Sequence, residues 1–151
     1  NPLFDADLEA SRRRVGVRLV ELSEAPREAL RSLRRGHVLG LIADQNAREQ
    51  GIFVPFFGKD AATFRGPALF ALRAGAPIFL GVSLREPGVP ARYRVTVERV
   101  GIAPTGDLVE DVRALTLAHT AALERAIRQA PEQYFWQHRR WKTRPPGEAP
   151  T

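Results

Sequence analysis

Blocks of apolar and polar positions succeed one another along this chain in a way that favours helix and strand in turn. Residues 5–14 have helical spacing that stops near Gly16, and residues 17–22 form a β-branched run suited to a strand. Ser23 and Pro26 then announce a helix start; Leu30 and Leu33 give it an apolar stripe, and Gly36 closes it. The run VLGLIA at 38–43 is the kind expected of a strand buried on both faces of a parallel sheet. It stops at Asp44, and the polar stretch DQNAREQG (44–51) must be a loop at that strand's carboxyl end.

Beyond the loop, IFVPFFG (52–58) is apolar but broken by Pro55. Gly66 and Pro67 open a helix capped by Gly75, and residues 77–84 are again strand-like. Pro87, Gly88 and Pro90 turn the chain back into an alternating strand at 93–100. The last long helix starts at Asp107, with Glu110 three residues on as a variant capping box, and runs to about Gln129 before Pro131. The order predicts an α/β fold: a mostly parallel sheet with helices on both faces and an antiparallel return strand. Residues 1–145 read as one domain and 146–151 as a flexible tail. In open α/β sheets ligands sit beyond the carboxyl ends of strands, which points to the loop that begins with Asp44 and Gln45.

Composition narrows the chemistry. With no cysteine, disulfides and thiolate metal sites are excluded, and His37, His119 and His138 are too scattered to suggest a zinc site. No run of about 18 uncharged apolar residues is present, so no membrane span is expected within these residues. The chain lacks methionine even at position 1, which reads as an excerpt of a longer product. Its 151 residues carry a net charge of +6, and only Lys59 and Lys142 of the 23 basic residues are lysines. Guanidinium groups pair bidentately with phosphate, so acidic lipid headgroups, phosphosugars and nucleic acid are all candidate partners, with a solvated arginine surface as the plain alternative.

Each candidate site has two readings. Asp44 and Gln45 suit binding of sugar hydroxyls or orientation of a catalytic side chain; they equally suit a turn-stabilising Asx motif. Arg12, Arg13 and Arg14, with Arg18, form either a phosphate clamp or a solvated helix face. Phe53, Phe56, Phe57 and Phe64 form either an acyl channel or ordinary core. His119 and Glu124 have the H-x4-E spacing of some acyltransferases, but an i to i+5 step inside a helix leaves the side chains roughly 140° apart. His119 falls instead on the stripe of Leu108, Val112, Leu115 and Ala122, as a packed, hydrogen-bonded core histidine, and His138 reads as an anchor for the C-terminal segment. No GxSxG elbow, P-loop, Gly-rich dinucleotide turn or H-E-x-x-H helix is present.

Several stretches together resemble the bacterial lipid A biosynthesis acyltransferases, the lauroyl and myristoyl transferases related to lysophospholipid acyltransferases. They are Asn1-Pro2-Leu3 with Arg12 and Gly16, GLIADQ (40–45), FVPFFG (53–58), Thr63 with GPALFALRAGAPIF (66–79), and PEQYFWQHRRWKTRP (131–145). The resemblance implies a fold like that of glycerol-3-phosphate acyltransferase, of which this chain is the C-terminal part. It also implies transfer of a fatty acyl group from acyl carrier protein, or coenzyme A, to a glycolipid hydroxyl at the cytoplasmic face of the bacterial inner membrane.

The family's H-x4-D/E motif lies before the position matching Asn1. No catalytic base is therefore expected in this chain, which alone should be inactive. By the same likeness Asp44 and Gln45 support the site, Arg12 or Arg14 holds acceptor phosphate or braces the catalytic loop, and Arg139, Arg140 and Lys142 are headgroup-facing or structural; Arg12, Arg14, Arg48, Arg139 and Arg140 are the candidates for substrate binding. No cofactor or metal is implied. The expected partners are acyl carrier protein, a phosphorylated glycolipid and the inner-membrane surface, not nucleic acid; a basic nucleic-acid- or lipid-binding module is the non-enzymatic alternative.

Overall fold

A computed structural model describes residues 2–21 and 24–147. The chain divides into two compact units, Asn1–Leu39 and Gly40–Thr151. The first holds two helices, α1 (Pro2–Arg14) and α2 (Ala25–Arg34). Arg12, Arg13 and Arg14 occupy the last turn of α1, where cations complement the partial negative charge of the helix end. Gly16, at φ 80°, adopts the left-handed turn that stops the helix where the sequence predicts. The expected start signal at Ser23 lies outside the described residues.

The second unit contains the hairpin β1 (Ile52–Phe56) and β2 (Lys59–Thr63), helix α3 (Gly66–Ala74), the hairpin β3 (Ile78–Glu86) and β4 (Arg92–Val100), and helix α4 (Leu108–Gln129). This is an α/β arrangement, but both strand pairings are antiparallel, so the expected mostly parallel sheet is absent among the described residues. Neither residues 17–21 nor 37–43 form a strand; Leu22 lies outside the described residues. The reason is physical: a strand exists only where its N–H and C=O groups find a neighbouring ladder, and these runs find none. Val38 is 96% and Ile42 80% exposed, the reverse of burial on both faces.

Local signals hold better. Gly75 takes the left-handed conformation (φ 64°) at the end of α3, where its N–H reaches Leu72 O and the Ala76 N–H reaches Ala71 O. Asp107 caps α4 by accepting from the Val109 and Glu110 amides. The reciprocal half of the capping box is replaced: the Asp107 N–H donates to Thr105 Oγ1 rather than to Glu110. The turn Phe57-Gly58, with φ 52° and 76°, is a two-residue hairpin connection of the type whose twist suits antiparallel strands.

One core cluster joins Ala68 and Ala71 of α3, Val100 of β4, and Val112, Leu115 and Ala122 of α4. A second joins Phe56, Ala61 and Ile127, with Tyr134 and Trp141 of the C-terminal segment packed against it.

Asp111 ties the entry of α4 to the preceding loop. Its carboxylate accepts from Thr105 N (2.7 Å), Thr105 Oγ1 (2.9 Å) and Gly106 N (3.2 Å). These bonds, the Thr105 amide foremost, hold its pKa below the ordinary value against the opposing effect of burial. A carboxyl depressed in the folded state stabilises fully above its unfolded pKa, and that contribution is lost as pH falls through the folded value. Asp111→Asn should therefore melt below the parent protein at pH 7, with the difference shrinking as pH is lowered toward 2. A difference in melting temperature independent of pH would count against the ionised carboxylate as the tie.

Candidate functional site

The segment after Ala43 is fixed from both sides. Ala47, 4% exposed, donates its N–H to Ala62 O of β2 (3.0 Å). Gly51 closes the loop against the same strand, where an added Cβ would lie 2.8 Å from the Ala47 Cβ and 3.0 Å from both the N and O of Thr63, so no side chain fits. The Asx turn that the sequence allows at Asp44 is made instead by Asn46, whose Oδ1 accepts from Arg48 N (3.0 Å). That turn lets Arg48 adopt a left-handed φ of 55° and leaves its side chain exposed.

The C-terminal segment supplies the other side. Asn46 donates its backbone N–H to His138 Nε2 (2.8 Å) and its side-chain amide to Thr143 Oγ1 (3.0 Å). The Tyr134 hydroxyl donates to Asp44 O (3.3 Å). His138 thus acts as an anchor, as its position in the sequence suggests, and its Nε2 must be unprotonated to accept.

Arg140 lies at the centre and is 2% exposed. Its guanidinium donates to Ala62 O (2.6 Å) and Thr63 Oγ1 (2.5 Å) and lies 5.3 Å from the centre of the Phe56 ring. Trp141 stacks on the same ring at 5.5 Å and donates Nε1–H to Phe56 O.

Charge couples these groups. Burial lowers the Arg140 pKa, and Asp44 is among the groups that raise it back. Burial pushes the Tyr134 hydroxyl up, with Asp44 adding to the rise and Arg140 opposing it. Asp44 and Arg140, both expected at the site, are therefore brought within electrostatic reach, with Gln45 exposed beside them. Arg140 is buried and directs Nη1 and Nη2 at protein acceptors, so its place here is structural and acceptor-phosphate binding does not suit it in this arrangement. Arg139 is exposed, as is Arg14 at the end of α1, while Arg12 is half-buried. The two α1 arginines belong to the first unit.

The aromatic run divides between its two readings. Phe56 is fully buried core, while Phe53, Phe57 and Phe64 are half-buried. Sequence reasoning missed Asn46, Thr143 and Tyr134, whose partners lie about ninety residues away along the chain; only the polar residues of the C-terminal signature hint at them.

Glu124 does not face His119. It accepts the Phe57 amide (2.7 Å) and pairs with Arg128, holding the hairpin turn at its strained left-handed residue. These bonds, the Phe57 amide first, depress the Glu124 pKa. His119 is packed as expected, but its buried Nε2 has no hydrogen-bond partner among the described residues. Burial first, then the Arg140 charge, lowers its pKa from 6.5 to about 4. A base depressed in the folded state stabilises fully above its unfolded pKa, so this contribution is lost as pH falls from about 6.5 through about 4. The ring should remain neutral at pH 5.5 in an NMR titration; a midpoint near 6.5 would place it in solvent.

Among the described residues no group of His, Asp or Glu could hold a metal ion, and no helix is long and apolar enough to cross a membrane.

Residues 1–143 match the family described as bacterial lipid A biosynthesis acyltransferase. The chain is 30% identical over 149 residues to the lipid A biosynthesis lauroyltransferase of Escherichia coli K12, covering 97% of this chain and 47% of that protein. It is 32% identical over 121 residues to the palmitoleoyltransferase of the same organism, covering 78% and 38%. With the E. coli myristoyltransferase it shares 30% identity over 156 aligned positions, covering 98% and 45%. The chain thus spans about half the length, or less, of the curated relatives it matches. The matching stretches include the Asp44 loop and the segment that buries Arg140, and the chain belongs to the bacterial lipid A biosynthesis acyltransferase family.

Proposed function

We propose that this chain is the substrate-binding part of a membrane-associated O-acyltransferase. The enzyme moves a fatty acyl group from acyl carrier protein, or from coenzyme A, to a hydroxyl of a lipid A precursor or related phosphorylated glycolipid. It works at the cytoplasmic face of the inner membrane. The observation that carries this reading is the docking of the Asp44 loop onto the C-terminal segment through His138, Thr143 and Tyr134. Direct acyl transfer needs a base to activate the hydroxyl, donors for the developing oxyanion, and cations for the acceptor's phosphates.

Among the described residues the histidines are already occupied or unsuited: His37 bonds Ser32, His138 accepts from Asn46, and the buried His119 Nε2 has no hydrogen-bond partner. The general base and its acidic partner are accordingly assigned to sequence preceding Asn1 in a longer parent. That parent is expected to have a glycerol-3-phosphate-acyltransferase-like fold. Asp44 and Gln45 support the reacting groups, while Arg12, Arg14, Arg48 and Arg139 are the candidates for acceptor phosphate.

The test is transfer from acyl carrier protein thioester, and separately from acyl coenzyme A, to a phosphorylated lipid A precursor. The longer protein should turn over and the 151-residue chain should not. Saturable transfer by the 151-residue chain alone would overturn the assignment of the base.

A further inference from the structure

The β3–β4 hairpin carries apolar residues on both faces, and only one face packs on helices. Paired residues of antiparallel strands share a face. Ile78, Leu80 and Val100 turn theirs toward α3 and α4 in the first core cluster. On the opposite face the register sets Phe79 beside Arg99, Gly81 beside Val97, Ser83 beside Val95 and Arg85 beside Tyr93. Phe79, Tyr93, Val95 and Val97 are 55% to 65% exposed there. A Cβ added at Gly81 would meet nothing within 4 Å, so the face dips next to Val97. Arg85 and Arg99 stand at its opposite ends, each exposed and with no side-chain partner among the described residues. The hairpin's carboxylates do not neutralise them: Glu86 and Glu98 lie on the other face and pair with Arg94 and Arg125.

We propose that this outer face is the surface on which the preceding half of the longer parent packs, through an amphipathic helix with carboxylates toward both of its ends. Four rows of alternate residues span about 20 Å along the hairpin. A helix of about 13 residues matches that length at 1.5 Å per residue. A bulky side chain of the helix fills the dip at Gly81, and its terminal carboxylates meet Arg85 and Arg99. The inference rests on the reading of this chain as one part of an acyltransferase and deepens it. The same contact brings the half that carries the base onto the half that carries the Asp44 loop.

Layering, size and charge favour this occupant. A sheet that is apolar on both faces is stable between two layers, and a contiguous bare apolar face invites aggregation. The chain covers 47% and 45% of its lauroyl- and myristoyltransferase relatives, so a protein of their length has as many residues again to lay on the face. Stacking two copies face to face would instead set four unpaired guanidiniums around one apolar centre, a like-charge arrangement that opposes a dimer. A carrier that docks and leaves would return the valines to water between visits.

Cysteine labelling tests the proposal, because the 151 residues contain no cysteine. Val97→Cys should react freely with a water-soluble maleimide in the 151-residue protein and at least tenfold more slowly in the longer protein. Rates are read at that site by mass spectrometry and referred to Val109→Cys on α4, a 75% exposed position. Val97→Asp should leave the melting temperature of the 151-residue protein unchanged and lower that of the longer protein. Arg85→Gln/Arg99→Gln should do the same to a smaller degree.

Equal reactivity of Val97→Cys in the two proteins overturns the proposal. So does protection in the 151-residue protein that grows with its concentration, since the occupant would then be a second copy. Protection of the longer protein that appears only when phospholipid vesicles are added overturns it as well, the occupant then being a bilayer. Neither labelling nor melting needs turnover. Protection without acyl transfer would leave this interface standing and refute the activity, and transfer without protection would do the reverse.

Discussion

Arg140→Ala should destabilise the second unit by about 3 kcal/mol or more. Each hydrogen bond to a charged group contributes roughly 1.5–3 kcal/mol net, and this guanidinium makes two, to Ala62 O and Thr63 Oγ1. Truncation to alanine also leaves a void beside Phe56. Arg140→Met separates the contributions: it refills the volume but restores neither donor, and it relieves the desolvation of a buried cation. Ala62 O keeps its bond from Ala47 N, and the Thr63 hydroxyl still donates to Ala61 O, so neither acceptor is stranded completely. The methionine variant should therefore lose about half as much as the alanine variant. Denaturant melts of both decide the matter; an alanine variant within about 1 kcal/mol of the parent protein would show that the guanidinium is not the tie.

The second large effect is expected at Phe56, which is fully buried and contacts Phe57, Tyr134 and Trp141. Phe56→Ala should cost about 3–5 kcal/mol, the usual range for emptying a large aromatic site. Phe56→Leu should cost about 1–2 kcal/mol, because it keeps most of the volume and gives up ring pairs of roughly 0.5–1.5 kcal/mol each. Trp141 supplies an independent readout. Stacked on Phe56, it should shift to longer emission wavelength in the alanine variant well before global unfolding. Equal losses for leucine and alanine would mean that the rings act through their stacking and not through the space they fill.

What the sequence disclosed follows the range of the interactions involved. Helices α3 and α4 are legible because their signals are local: Pro67 and Gly75 bracket one, and Asp107 caps the other through amides two and three residues on. The β3–β4 hairpin is legible for the same reason, with Pro87, Gly88 and Pro90 between two alternating runs. Residues 17–21 and 37–43 misled because their pattern specifies burial, whereas a strand also needs a ladder partner, which pattern does not supply. The β1–β2 hairpin was hidden behind Pro55 and a Phe-Gly turn lacking the usual Asn or Asp. At the site, Asp44 was found from its place after an apolar run. Its partner Tyr134 meets it only through tertiary packing, and of the two readings that the likeness leaves for Arg140, headgroup-facing or structural, sequence alone does not choose, because it does not reveal which cations are buried.

Gln133 binds both backbone groups of Arg85, accepting its N–H at 2.7 Å and donating to its carbonyl at 3.0 Å. A single side-chain amide thus imitates one rung of a neighbouring strand on the side of β3 away from β4. Residues two apart along a strand point their backbone groups the same way, so Phe79, Gly81 and Ser83 present theirs to that same side. Any third strand extending the hairpin there can zip along those residues but must halt before Arg85. The glutamine acts as a stop that sets the maximum length of the added rung ladder and denies the far end of β3 to chance edge-to-edge association.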